Sequence, residues 1–89
     1  MSTAAREKLS KRRPDIRAVL AVNLIALRGS RGWSQDALAL EAGVHRTFVA
    51  HVERQARNIS LDSLEKLAAA LGVQTCELLA LPEAPQRKL

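Results

Sequence analysis

Tyrosine is absent from this 89-residue chain, and cysteine, tryptophan and phenylalanine occur once each. A single cysteine, Cys76, cannot form an intramolecular disulfide, so packing must hold the fold and a reducing compartment suits it. With only two histidines besides, no nucleophile–base pair emerges, no paired carboxylates stand out, and an enzyme is not expected. Four glycines and three prolines interrupt a chain that is 47% hydrophobic, which excludes a disordered or low-complexity polymer. Long apolar runs are missing too. The best candidate, Ala18 to Leu27, is interrupted by Asn23 and spans about half of the ~20 residues that cross a bilayer. It leads into Arg28-Gly29-Ser30-Arg31 instead of a small-x-small cleavage site, so neither export nor membrane association is expected, and the cytoplasm is the natural location.

The charge is unevenly spread. Fourteen basic residues face nine acidic ones, a net +5, but residues 1–13 alone carry Arg6, Lys8, Lys11, Arg12 and Arg13 against Glu7. The remainder is nearly balanced. The domain plan is thus a basic tail (1–13), one small domain (14–81) and a short tail (82–89) holding Pro82, Pro85, Arg87 and Lys88. The basic tail could attract nucleic acid, or simply keep the protein soluble. Within these 89 residues no separate ligand or catalytic domain is expected.

Periodicity points to helices throughout; no stretch sustains period-two alternation. A first helix opens near Pro14 and runs to about Arg28, with Ile16, Val19, Leu20, Leu24 and Leu27 on one face, and Gly29, Ser30 and Gly32 break it. Ser34 is a natural N-cap for a second helix, Gln35 to Ala42, stopped at Gly43. A third spans about Arg46 to Arg54. The fourth starts at Ser60, carries Leu61, Leu64, Leu67, Ala68 and Leu71 as its stripe, and stops at Gly72. A short fifth runs from Thr75 to Leu81, ended by Pro82. The fold class expected is all-α, five short helices around one core.

The second and third helices carry the functional signal. Gly43 permits a sharp turn, Ala39 lets the helices cross closely, and Leu38, Val44, Val49 and Val52 face inward. This is the helix-turn-helix pattern, whose second helix is held out toward the major groove. At about 100° per residue from Arg46, Ala50 lies at ~40°, Arg54 at ~80°, Thr47 at ~100° and His51 at ~140°, whereas Val52 and Val49 lie at ~240° and ~300°. One face is apolar and the other holds side chains suited to bases. Arg46 can donate two hydrogen bonds to guanine, Thr47 can meet a base edge or a thymine methyl, and Ala50 leaves room for close approach.

Asn23-Leu24, Gly32-Trp33-Ser34-Gln35, Leu38-Ala39, Ala42-Gly43-Val44, Val49, Val52-Glu53-Arg54, Arg57-Asn58, Ser60-Leu61, Leu67-Ala68 and Leu71-Gly72-Val73 together resemble the Xre/Cro/C1 family of prokaryotic and phage transcriptional regulators, with the lambda-repressor-like fold. Within it, His45-Arg46-Thr47 and Arg57-Asn58-Ile59-Ser60 are most similar to the controller proteins of restriction–modification systems. The resemblance implies base contacts by Arg46, Thr47, Ala50 and His51, and phosphate contacts by Ser34, Gln35, His45, Arg54, Arg57 and Asn58. It also implies an Arg28–Glu53 ion pair tying the first helix to the third. His45 stands where Ser or Thr would cap the third helix, and Gln55 where the family has glycine. The histidines, on different faces and without i, i+4 spacing, make no metal site, and no cofactor is expected.

One short recognition helix reads few base pairs, so a homodimer on a palindromic operator is expected, through Leu78, Leu79 and Leu81, although these leucines could equally complete the monomer core. Regulation would then follow from where it binds and from contacts with RNA polymerase, for which Asp36 and Glu41 are acidic surface candidates or ordinary solvated charges. Rival readings are an antitoxin of the same fold and a non-specific nucleic-acid binder driven by the basic tail. Deleting residues 1–13 separates the last from a sequence reader. In binding titrations, a reader keeps its base preference after the deletion, and a tail-driven binder loses nearly all affinity.

Overall fold

The computed structural model describes residues 15–56 and 58–81, which fold into five α-helices: α1 (Ile16–Ser30), α2 (Gln35–Ala42), α3 (Arg46–Glu53), α4 (Leu61–Leu71) and α5 (Thr75–Leu78). No strand occurs among the described residues, and no helix there is long and apolar enough to cross a membrane. The expectations for the basic tail, Pro14, Arg57 and residues 82–89 lie outside the described residues.

Local signals set most boundaries. The Ser34 and Ser60 hydroxyl oxygens accept from the backbone N–H of Ala37 and Ser63, both at 3.0 Å, filling helix N-termini whose donors have no partner within the helix. Gly43 (φ 73°) and Gly72 (φ 72°) end α2 and α4 in the left-handed region open to glycine. At Gly72 space adds to conformation: a Cβ there would sit 3.0 Å from the Arg31 guanidinium. Arg31 crosses to donate to the Leu71 carbonyl at 2.7 Å and lies over the Trp33 ring, so a cation closes the negative end of α4.

Four boundaries differ from expectation. The first helix begins at Ile16, capped by Asp15, whose carboxylate accepts from the Arg17 N–H at 2.9 Å; that hydrogen bond is the main reason its pKa is lowered. It continues through Gly29 and Ser30, where the Ser30 hydroxyl donates back to the Leu27 carbonyl, and the chain turns only at Gly32 (φ 69°). The fifth helix stops at Leu78, short of Leu81. Asn23, the one polar residue in the apolar run of α1, donates to the carbonyls of Leu78 and Ala80, both at 2.8 Å, and satisfies groups that have no partner within the helix. The third helix ends at Glu53.

The core is built from all five helices. Leu24, Leu38, Val49, Leu67, Leu71 and Leu78 are its largest fully buried side chains, and no polar residue is buried as a whole with them among the described residues. α2 packs on α3 and α4, α1 on α3 and α5, and α4 on α5. Ala39 is 4% exposed at the crossing of the helix-turn-helix, where a larger side chain would push the helices apart. Two members of the expected stripes lie outside: Ile16 is 52% and Leu61 79% exposed. Each stands in the first turn of its helix, and both flank a groove of about 210 Å³ whose deeper wall includes Leu20, Leu64 and Leu79.

Gln55 adopts φ 61°, the only positive φ at a non-glycine residue among the described residues. This wraps the end of α3, where the Ala56 N–H donates to the His51 carbonyl at 2.9 Å. A side chain in this conformation costs roughly 1–2 kcal/mol. Gln55→Gly is therefore expected to stabilise the domain by about 1 kcal/mol or slightly more, raising its thermal midpoint by about 4–8 °C in a melt followed by circular dichroism.

Candidate nucleic-acid interface

α3 has two faces. Val49 and Val52 are buried, whereas Arg46 and Thr47 are exposed and Ala50 and His51 half-exposed. The four side chains expected to read bases thus share the outward face, and no core contact competes for Arg46 or Thr47. His45 takes the N-cap position with no side-chain hydrogen bond, so the first turn of α3 keeps unused backbone donors facing outward.

α3 is fastened at its far end by Glu53. Its carboxylate accepts from Arg28 Nε at 2.7 Å and Arg28 Nη2 at 3.0 Å, a two-pronged ion pair in which the Arg28 and Glu53 side chains are 19% and 6% exposed. The same carboxylate accepts from Gln35 Nε2 at 2.8 Å, and Arg28 Nη1 donates to the Trp33 carbonyl at 2.9 Å. One cluster therefore joins α1, the turn after it, α2 and α3. The hydrogen bond from Arg28 to Glu53 raises the pKa of the guanidinium, against the opposing effect of burial.

The residues expected at phosphates are differently disposed. Ser34 stands at the exposed start of α2, its oxygen occupied by the Ala37 N–H, and His45 and Arg54 are exposed at the two ends of α3. Gln35 departs from expectation: its amide points into the Glu53 cluster, leaving its backbone N–H as the group at the helix start. Asn58 departs also. Its carbonyl oxygen accepts from Arg17 Nε at 2.8 Å and from Arg17 Nη2, so only its amide N–H groups remain to donate outward. Arg17 itself escaped sequence reasoning, because nothing local ties residue 17 to one 41 positions away.

A further pairing also escaped it. Arg46 Nε lies 2.9 Å from an Asp36 carboxylate oxygen, and both side chains are more than half exposed. At the other end of the domain, Leu78 is corrected as a candidate for contact between copies. It is 0% exposed, packed inside the domain's own core as part of α5. Leu79 is half-buried and packs on the core, and Leu81 is 43% exposed. Cys76 is exposed, and no group of three His, Cys, Asp or Glu side chains converges among the described residues.

Comparison with known proteins places these features in a family. The pattern of HTH_3, described as helix-turn-helix, matches residues 24–78. A hypothetical transcription factor of Neisseria meningitidis is 51% identical over 69 residues, 78% of this chain and 65% of that protein. Its crystal structure superposes with a TM-score of 0.76 over 78% of this chain and 79% of the solved one. The control protein C.BamHI of Bacillus amyloliquefaciens is 52% identical over 46 residues, 52% of this chain and 57% of its own. The restriction-modification controller protein C.AhdI from Aeromonas hydrophila is 40% identical, with a TM-score of 0.67 over 70% of this chain and 94% of that one. The first two relatives are thus each matched over less than two thirds of their own length.

The Glu53 cluster and the outward face of α3 separate stability from reading. Glu53→Ala leaves Arg28 with no carboxylate and is expected to cost about 3 kcal/mol or more. Arg46→Ala touches only the exposed face and should stay within about 0.5 kcal/mol of wild type. Urea unfolding of the two variants beside wild type checks the contrast.

Proposed function

Because the chain belongs to the HTH_3 helix-turn-helix family, of the Xre/Cro/C1 type, we propose that it is a transcriptional regulator that binds double-stranded DNA by sequence and catalyses no reaction. The division of α3 carries this reading: a buried face of Val49 and Val52 locks the helix, and an outward face presents Arg46, Thr47, Ala50 and His51. Arg46 reads guanine, Thr47 and Ala50 meet neighbouring base edges at close range, and His51 reaches a base or phosphate. Phosphates are gripped by the Gln35 backbone N–H at the start of α2, by Ser34 and His45 beside the two helix N-termini, and by Arg54, Arg57 and the Asn58 amide.

The working unit is a homodimer on a palindromic operator in the cytoplasm. One eight-residue helix reads too few base pairs to select a site, and doubling it onto half-sites about 34 Å apart supplies the rest. Leu81, with Leu79 beside it, is the apolar surface that remains for this pairing now that Leu78 belongs to the core. The likeness to two controller proteins supports a role in governing a restriction–modification system, with RNA polymerase as the protein that senses the bound regulator.

Selection from a random duplex pool tests the reading, followed by titration of the enriched sequence with wild type and Arg46→Ala at two salt concentrations. A palindromic winner is expected, with a loss of about 1–3 kcal/mol in the variant confined to one base position per half-site. Failure to enrich any sequence, with both proteins losing affinity steeply and equally as salt rises, would leave only attraction to phosphate and overturn it.

A further inference from the structure

The Arg46 side chain is not free in the unbound protein. Its Nε lies 2.9 Å from Asp36, which stands in the first turn of α2 and is 73% exposed, while the Arg46 side chain is 58% exposed. An ion pair so open to water adds little to folding stability, so stability is a weak reason for it. Its position is more informative. Asp36 complements the dipole of α2, and it also puts a negative charge on the side of the domain offered to a polyanion, where it opposes binding to any sequence.

From this pair we infer that Asp36 is a positioning residue that makes Arg46 a selective reader of guanine; the inference rests on the DNA-reading function proposed above. A guanidinium has two edges that can present parallel donors, one through Nε and one through the two terminal nitrogens. With the carboxylate against Nε, the terminal edge is the one left to meet guanine O6 and N7. The contact also restrains a side chain that otherwise carries large rotamer freedom, and keeps it from swinging onto the nearest phosphate. A phosphate contact binds every sequence alike; a restrained fork facing a base edge does not. The carboxylate thus lowers affinity for DNA in general and raises the difference between right and wrong sequences.

The test uses the full chain as wild type, Asp36→Asn, Arg46→Ala and the double variant. The probes are the duplex enriched by wild type, the same duplex changed at the base pair that Arg46→Ala ceases to distinguish, and a random-sequence duplex. A bidentate pair supplies a preference of about 5- to 150-fold. In Asp36→Asn that preference should fall about fivefold or more at this one base pair and hold elsewhere. Binding to random duplex should tighten, with the salt dependence steeper by about one released counterion. The double variant should discriminate no worse than Arg46→Ala alone. An unchanged preference in Asp36→Asn, with every duplex bound uniformly tighter, would overturn the inference and leave Asp36 as a repelling charge. Loss of preference at all positions together would overturn it too, since that reports a disturbed fold. A wild type that enriches no sequence overturns the DNA-reading function itself, a result seen before any variant is compared.

Discussion

The Glu53 carboxylate is the point on which the rest of the structure hangs. α3 is eight residues long and could not hold a helical shape by itself in water. Its order comes from outside: two valines pressed into the core, and at its end a carboxylate receiving donors from Arg28 of α1 and Gln35 of α2. Apolar packing alone has no direction and tolerates a helix sliding or rotating slightly. The ion pair adds direction, since the planar guanidinium and the carboxylate match in only a narrow range of angles. Desolvating both charges is expensive, and the return is conformational: three helices acquire one mutual orientation.

Around that point, functions are divided by depth. The described core is wholly apolar, the half-buried layer carries the hydrogen-bonded cluster, and the outermost layer carries side chains whose partners are exchangeable. Arg46 with Asp36 and Arg17 with Asn58 are of this last kind, exposed pairs that add little to folding stability. Such contacts hold a surface in one arrangement before binding without committing much energy to it.

What could be read from the sequence follows the same division. Ser34, Gly43, Ser60 and Gly72 act on their own helix ends, so a few neighbouring residues were enough to place four boundaries of α2 and α4. The left-handed turn at Gln55 was legible because the family pattern has glycine there. The Arg28–Glu53 pair was legible only through the family resemblance, since a spacing of 25 residues carries no local signal. Everything that depended on a distant partner and had no such resemblance was missed. Asn23 looked like a blemish in an apolar run, yet it holds the turn after α5; Gln35 looked free for phosphate, yet it serves Glu53. Ile16 and Leu61 kept the right period but stand in the first turns, where a helical stripe runs past the edge of what covers it.

The amide of Asn23 has a geometric consequence. By holding two carbonyls of the terminal turn from the middle of α1, it fixes the end of the domain that bears Leu81 relative to the end that bears α3. Two such domains joined through that end would behave as a rigid caliper. One base pair added between half-sites turns the second of them by about 34–36° around the duplex axis. A jointed protein could follow that rotation by bending at a linker. A domain braced across its width would have to twist the DNA instead, and its tolerance for altered spacing would be set by the stiffness of the duplex.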